Sequence, residues 1–300
     1  MLAKIIGFLT KLFTKRAEPI NEQPTKALPI NSEPNKEVPI PTPTHNEIAV
    51  VDERAWVSRA AEAIATFEGI GVDWGNPVGN FDGAYLTCGL IGFTWKYNNQ
   101  PPMILEFVKR HGEQALKLLM PNYGAEYIRA AKLGQYAGAD IVAKWSIGYN
   151  VKPAIKAELR AFWTSPGMVA IQKEKIWDMV GKWGIKKMYE TQEYFGFAEP
   201  RYEHLLYWMD QATLSGTGKT PDFQEHKNVT LEQIFAFCAT KGGYNSADLR
   251  KNGKLWQQMI SSSPYSETVL FKLAYLRATR SSGQFMGAVM NRRGTLASLS

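Results

Sequence analysis

Apolar residues recur every three or four positions through most of the chain beyond residue 52, the spacing of helices with one buried face. In "DERAWVSRAAEAIATFEG" the stripe is Trp56, Ala60, Ile64 and Phe67, with Asp52 at the N-cap position and Gly69 as a stop. The same period runs through "PMILEFVKRHGEQALKLLM", "AEYIRAAKLG", "VKPAIKAELRAFW", "PGMVAIQKEKIWDMVGKWGIKKMYETQEYFG", "PRYEHLLYWMDQATLS", "TLEQIFAFCATKGG" and "SETVLFKLAYLRATRSSG". A single stretch, "AYLTCGLIGFTW", reads as strand instead. A long helix, a small β element and then many helices predict an α+β architecture dominated by α.

The pattern changes ahead of residue 52. In "MLAKIIGFLTKLFTKR" apolar side chains fall at Leu2, Ile5, Ile6, Leu9, Leu12 and Phe13, while Lys4, Lys11 and Lys15 take the other face. This predicts a basic amphipathic helix over residues 1–16, suited to a membrane interface or a partner. The apolar run is too short and too interrupted to span a bilayer, and no small-x-small cleavage site follows it. Residues 17–51 hold a decapeptide echo, "AEPINEQPTK", "ALPINSEPNK" and "EVPIPTPTHN", with Pro-Ile at one offset. Proline at that density blocks helix and sheet ladders and predicts an extended, disordered linker. The globular part is then expected over 52–300.

The 300 residues carry a formal charge of +7. Residues 1–16 contain four cations and no acid, and 17–52 contain Lys26 and Lys36 against six acids, so 53–300 is itself near +7. A basic globular part suits an anionic partner such as cell-wall polymer, nucleic acid or membrane surface; ordinary solubility charge accounts for it equally well. Two cysteines, Cys88 and Cys238, make neither a disulfide framework nor a zinc pattern, and four scattered histidines offer no metal-binding spacing. No metal or other cofactor is expected.

The candidate chemistry lies in "FEGIGVDWGNPVGNFDGAYLTCGLIGFT", residues 67–94, which hold one Glu, two Asp, seven Gly and no Lys or Arg. Glu68 falls in the last turn of the first predicted helix, where the negative end of the helix dipole raises the proton affinity of a carboxylate. A Glu kept protonated near neutrality suits a general acid. Asp82, before Gly83 in a polar turn, is expected to stay ionised. Two carboxylates in contrasting surroundings form the acid and base of a glycosidase. Asp73, between Val72 and Trp74, competes for the second role but reads better as a turn-capping residue.

This stretch resembles the active-site signature of the family 46 chitosanases, which share the lysozyme-superfamily fold. There a catalytic Glu is followed six residues on by Trp, then by a loop and Asp-Gly-x-x-x-Thr-x-Gly-Ile-Ile-Gly-Phe-Thr. Here Glu68 precedes Trp74, and Asp82 to Thr94 reads DGAYLTCGLIGFT. "YWMDQATLSGTG" resembles a later helix of that family, and "LAYLRATRSSGQFMGAVMNRRGTL" resembles a C-terminal segment of related chains. The resemblance implies a two-lobed lysozyme-like fold with a small β element beside the catalytic helix. It implies Glu68 as general acid, Asp82 as base and Thr87 as a holder of the attacking water. It implies inversion at the anomeric carbon, with carboxyl groups about 6.5–9.5 Å apart, or farther in an open form. Substrate contacts are expected from Trp95 and Tyr97, which follow the motif directly, and by position from Asn99 and Asp210.

Three departures shape the expected substrate. The loop between the carboxylates is shorter than in typical members, Ala84 stands where the family often has Arg, and Asn99 stands where an acid helps bind the glucosamine amine. Loss of that carboxylate removes a partner for a cationic sugar. The expectation is therefore an endo-glycosidase cutting β-1,4 bonds of an amino-sugar polymer, with bacterial peptidoglycan ahead of chitosan. Two further readings stay open, a non-catalytic glycan-binding or virion-structural protein on such a fold, and membrane permeabilisation by residues 1–16. Peripheral membrane contact through 1–16, no nucleic acid, a monomeric state, no transmembrane span, and secretion or action at the cell envelope complete the expectations.

Two other features have simpler readings. "LSGTGKTPD" contains Gly-Thr-Gly-Lys-Thr, but Thr213 stands where a phosphate loop needs Gly and a helix precedes it. Most of the nine tryptophans fall at helical spacing beside aliphatic residues and read as core rather than as sugar platforms.

Overall fold

The computed structural model describes residues 51–67, 72–80, 83–215, 223–230, 232–234 and 265–279. The chain divides into two units, Met1–Val51 and Asp52–Ser300, and every described helix and strand lies in the second. The helix expected over 1–16, the linker of 17–51 apart from Val51, and Glu68, Gly69, Asp82, Cys238, the glycine-lysine run of 216–222 and the segment 280–300 lie outside the described residues.

Helix α1, Glu53–Phe67, begins where the sequence pattern places it. Asp52 caps it: Oδ1 accepts from the Ala55 amide at 3.0 Å and the backbone oxygen accepts from Trp56 at 3.0 Å. A cap of this kind stabilises a helix by about 1 kcal/mol. The buried face is Val57, Ala60, Ala61, Ile64 and Ala65, which keeps Ala60 and Ile64 of the expected stripe and widens it toward Val57, Ala61 and Ala65. Small residues there admit helix α9 (Tyr202–Ser215) against α1. Trp56 is pushed to the margin, edge-on to Tyr202 with ring centroids 5.7 Å apart.

The expected strand region forms a short antiparallel hairpin, β1 (Thr87–Cys88) with β2 (Phe93–Thr94), in which Thr87 faces Thr94 and Cys88 faces Phe93. Val78 adds one bridge to Thr87. Helix α2 (Gln100–His111) follows, with proline in its first turn, where an N–H has no partner to lose, and Lys109, Arg110 and His111 in its last, which complement the dipole there. Gly112, at φ +83°, separates α2 from α3 (Glu113–Leu119), so the continuous apolar pattern across it is two helices. Then come α4 (Gly124–Ala137), the short α5 (Ala139–Val142) and a second hairpin, β3 (Ser146–Ile147) with β4 (Asn150–Val151). Helices α6 (Pro153–Trp163) and α7 (Pro166–Ile176) follow. A wide π turn, Trp177–Gly181, leads into α8 (Lys182–Phe195). The single long pattern over this last stretch is thus two helices joined by that turn. After α9 come α10 (Phe223–His226) and α11 (Tyr265–Thr279).

Helix α9 packs on both α1 and α8, while α2 packs on α4 and α7, and α7 also touches α1. The core between them is aromatic: Trp95, Trp163, Trp208, Tyr127, Phe93 and Phe162 are all sealed from solvent. The described part is predominantly helical with a few very short strands, an α+β class dominated by α. Among the described residues, no helix is long and apolar enough to cross a membrane.

Candidate functional site

Helix α1 runs to Phe67, so Glu68 is the next residue in the chain. The segment from residue 72 leads to the β1–β2 hairpin and is anchored at each described step. Asp73 accepts from the Gly75 amide at 3.0 Å through Oδ1 and pairs with Arg160 at 2.8 Å through Oδ2. Both oxygens are committed to shaping the turn, the role its neighbours suggest. Gly79 donates to the Tyr149 carbonyl and Asn80 to Ser146 Oγ, so the β3–β4 hairpin braces this segment from outside. Asn80 in turn accepts from the Tyr85 amide at 3.0 Å.

Gly83 (φ +78°) and Tyr85 (φ +67°) both take left-handed backbone just after Asp82. The Leu86 amide reaches back to the Ala84 carbonyl at 2.9 Å, closing a three-residue turn with Tyr85 at its centre. With positive φ this is the rarer, strained form of such a turn, and strain of this sort concentrates at functional sites.

What holds the hairpin is a buried polar network. Gln100 Nε2 donates to the Leu86 carbonyl at 2.9 Å and the Phe93 carbonyl at 2.7 Å, gripping the base of both strands. Gln100 Oε1 accepts from Tyr127 Oη at 2.9 Å, which itself accepts from Trp163 Nε1 at 3.2 Å. Gln172 Nε2 donates to the Trp163 carbonyl at 2.8 Å and the Trp74 carbonyl at 3.1 Å, while Oε1 accepts from the Leu90 amide at 3.1 Å. The hairpin is therefore held at its base by Gln100 and at its turn by Gln172. Both side chains are fully buried and every amide position is used, the condition under which a polar network rigidifies a core. Burial pushes the Tyr127 hydroxyl well above its usual range, so it stays protonated and able to donate.

Gly89 lets Gln172 come this close. Its φ is +85°, and a Cβ there would sit 2.6 Å from Gln172 Oε1 and 2.7 Å from the Phe93 ring. Gly89→Ala is expected to destabilise the fold by about 2 kcal/mol or more, from the left-handed backbone and the displaced glutamine together. A urea midpoint unchanged from wild type would show that the contact is dispensable.

The structure sorts the expected site residues. Thr87 and Asn99 stay with the hairpin: Thr87 faces Thr94 across the strands, and the Asn99 amide donates to the Thr94 carbonyl at 3.2 Å. Thr94 Oγ1 is buried without a hydrogen-bond partner among the described residues, a hydroxyl of the kind water commonly satisfies. Tyr97 is 70% exposed. Trp95, expected beside substrate, is instead a core residue. It is sealed from solvent, tilts against Tyr127 and donates its indole N–H to the Gln135 carbonyl at 3.1 Å, so no face is open to a sugar. Strand alternation explains this, since Phe93 and Trp95 point to the same side. Asp210, also expected at substrate, is fully buried on α9, a helix that packs on α1 and α8. Glu68 and Asp82 lie outside the described residues.

Cys88 is buried, and burial pushes its thiol well above the usual range, which removes it as a nucleophile. Among the described residues, no group of three His, Cys, Asp or Glu gathers as a metal site would require. The sequence reading missed Gln100 and Gln172. Gln100 carried a weak signal, a glutamine immediately before Pro-Pro at a helix start; Gln172 carried none. Comparison with protein-family models, curated proteins and solved structures finds no match.

Proposed function

We propose that this chain is an inverting endo-glycosidase that hydrolyses β-1,4 bonds of an amino-sugar polymer, with bacterial peptidoglycan as substrate, on a two-lobed lysozyme-like fold. The observation that supports the reading most is the rigid hairpin directly after Asp82. The motif resembling family 46 chitosanases falls on a strained turn and two short strands fixed by Gln100 and Gln172. Catalytic groups need such preorganisation, and a surface loop without function does not.

In this reading Glu68 protonates the leaving glycosidic oxygen. Asp82 takes a proton from water as that water attacks the anomeric carbon from the opposite face, and Thr87 holds the water. Asn99 and Tyr97 contact the sugars. The chemistry is carried by the two carboxylates and invokes no cofactor. The basic amphipathic stretch of 1–16 and the proline-rich 17–51 would tether the enzyme to a membrane beside the wall.

The test is digestion of purified peptidoglycan in heavy-oxygen water with mass spectrometry of the fragments. New reducing ends carrying one heavy oxygen are expected, with the α-anomer formed first by NMR. Release of peptides without new reducing ends would overturn the glycosidase reading, and cleavage of chitosan alone would overturn the substrate.

A further inference from the structure

Resting on that reading, we propose that Lys96 determines which glycan the site accepts. Its ammonium would bind the carbonyl and carboxylate oxygens of N-acetylated, peptide-bearing sugars and repel the free amines of chitosan. Lys96 is fixed as a backbone position by its surroundings. Its amide donates to the Ala84 carbonyl at 3.2 Å, and its own carbonyl accepts from Gln135 Nε2. The exposed side chain then turns toward the residue that follows Asp82: a Cβ on Gly83 would lie 3.6 Å from Lys96 Nζ. The same ammonium sits 5.8 Å from the centre of the Tyr97 ring. A cation and an exposed aromatic face thus stand together at the chain neighbour of the proposed base.

A second ammonium, Lys173 Nζ, lies 5.6 Å from the Trp74 ring on the segment between the two proposed catalytic residues. The one acid described on that segment, Asp73, is already paired with Arg160. An ammonium offers three donors and no acceptor, so it complements acetamido and carboxylate oxygens and cannot pair with a protonated amine. Asn99, a neutral residue three positions on, adds no charge that would offset this. Tyr97 supplies a flat apolar face for a sugar ring, which leaves discrimination by charge to Lys96.

The experiment uses the full chain with Lys96→Glu, Lys96→Gln and Lys96→Arg, assayed on purified peptidoglycan and on chitosan. Binding of a soluble peptidoglycan fragment and a chitosan oligomer is measured by calorimetry alongside. The exposed side chain makes unfolding an unexpected outcome, and a thermal melt of each variant checks it. Lys96→Glu is expected to raise KM for peptidoglycan and weaken fragment binding by roughly tenfold or more, with kcat of the same order, and to lower KM for chitosan. Lys96→Gln should fall between, and Lys96→Arg should keep the wild-type preference. Equal KM shifts on both polymers, or an arginine variant as impaired as the glutamate one, would overturn the role of Lys96 while leaving the glycosidase intact. Binding that depends on Lys96 without any release of reducing ends would support the inference and sink the glycosidase. Neither binding nor cleavage of either polymer would end both.

Discussion

Glu68→Gln is expected to lower the release of reducing ends from peptidoglycan by about 10²–10⁴-fold, the usual contribution of a general acid. Gln keeps the shape and hydrogen-bonding capacity of the side chain but has no proton to give the leaving oxygen. The thermal midpoint should stay at the wild-type value, which separates lost chemistry from lost structure. Asp82→Asn should be comparably inactive, because an amide cannot take the proton from the attacking water. Asp73→Asn supplies the contrast. Asp73 spends Oδ1 on Gly75 and Oδ2 on Arg160, so Asn keeps the bond that shapes the turn, gives up the ion pair to an exposed arginine, and should leave activity of the same order. A Glu68→Gln variant with an unchanged rate would end the glycosidase proposal, and an inactive Asp73→Asn beside an active Asp82→Asn would move the base to the other aspartate.

Gln172→Leu is expected to be among the most damaging substitutions away from those carboxylates. It removes three hydrogen bonds at once, to the Leu90 amide and to the Trp74 and Trp163 carbonyls. Leucine is similar in size, so the effect is one of orphaned polar groups rather than of volume. A buried unsatisfied group costs about 1–3 kcal/mol, and local relaxation recovers part of it, which leaves about 3–5 kcal/mol. At about 2–4 °C per kcal/mol for a domain of this size, the thermal midpoint should drop by roughly 6–20 °C. Activity should fall even where the fold persists, because Trp74 and Leu90 flank the segment that carries Asp82 and Thr87. A melt within about 2 °C of wild type would show that Gln172 does not hold the hairpin.

Both predictions bear on what the sequence made legible. The cap at Asp52, the start of α1, the position of the hairpin and the turn-shaping role of Asp73 are local matters, set by residues within a few positions of one another. What the sequence left unread is largely depth. Trp95 follows a motif and is aromatic, yet the side it faces is decided by its strand and by the helix that covers it, α4, through Gln135. Asp210 is charged and follows a Met on a helix, and nothing nearby in sequence shows that it is fully buried. Gln172 reads as an ordinary polar residue of an amphipathic helix, and its partners lie nine, 82 and 98 residues away.

By itself, then, the sequence determined the helical periodicity, the place of the single motif-bearing β element, the change of character before residue 52 and the crowding of carboxylates at 68–82. These follow from side-chain type and from spacings of two to four residues, which local backbone geometry converts directly into structure. Only the tertiary structure decided which aromatic residues are core, which carboxylate is tied to an arginine, and which two glutamines hold the hairpin. Those choices depend on which distant surfaces meet. A buried hydrogen bond across 98 residues exists because packing excluded water from both partners, and no local pattern records that.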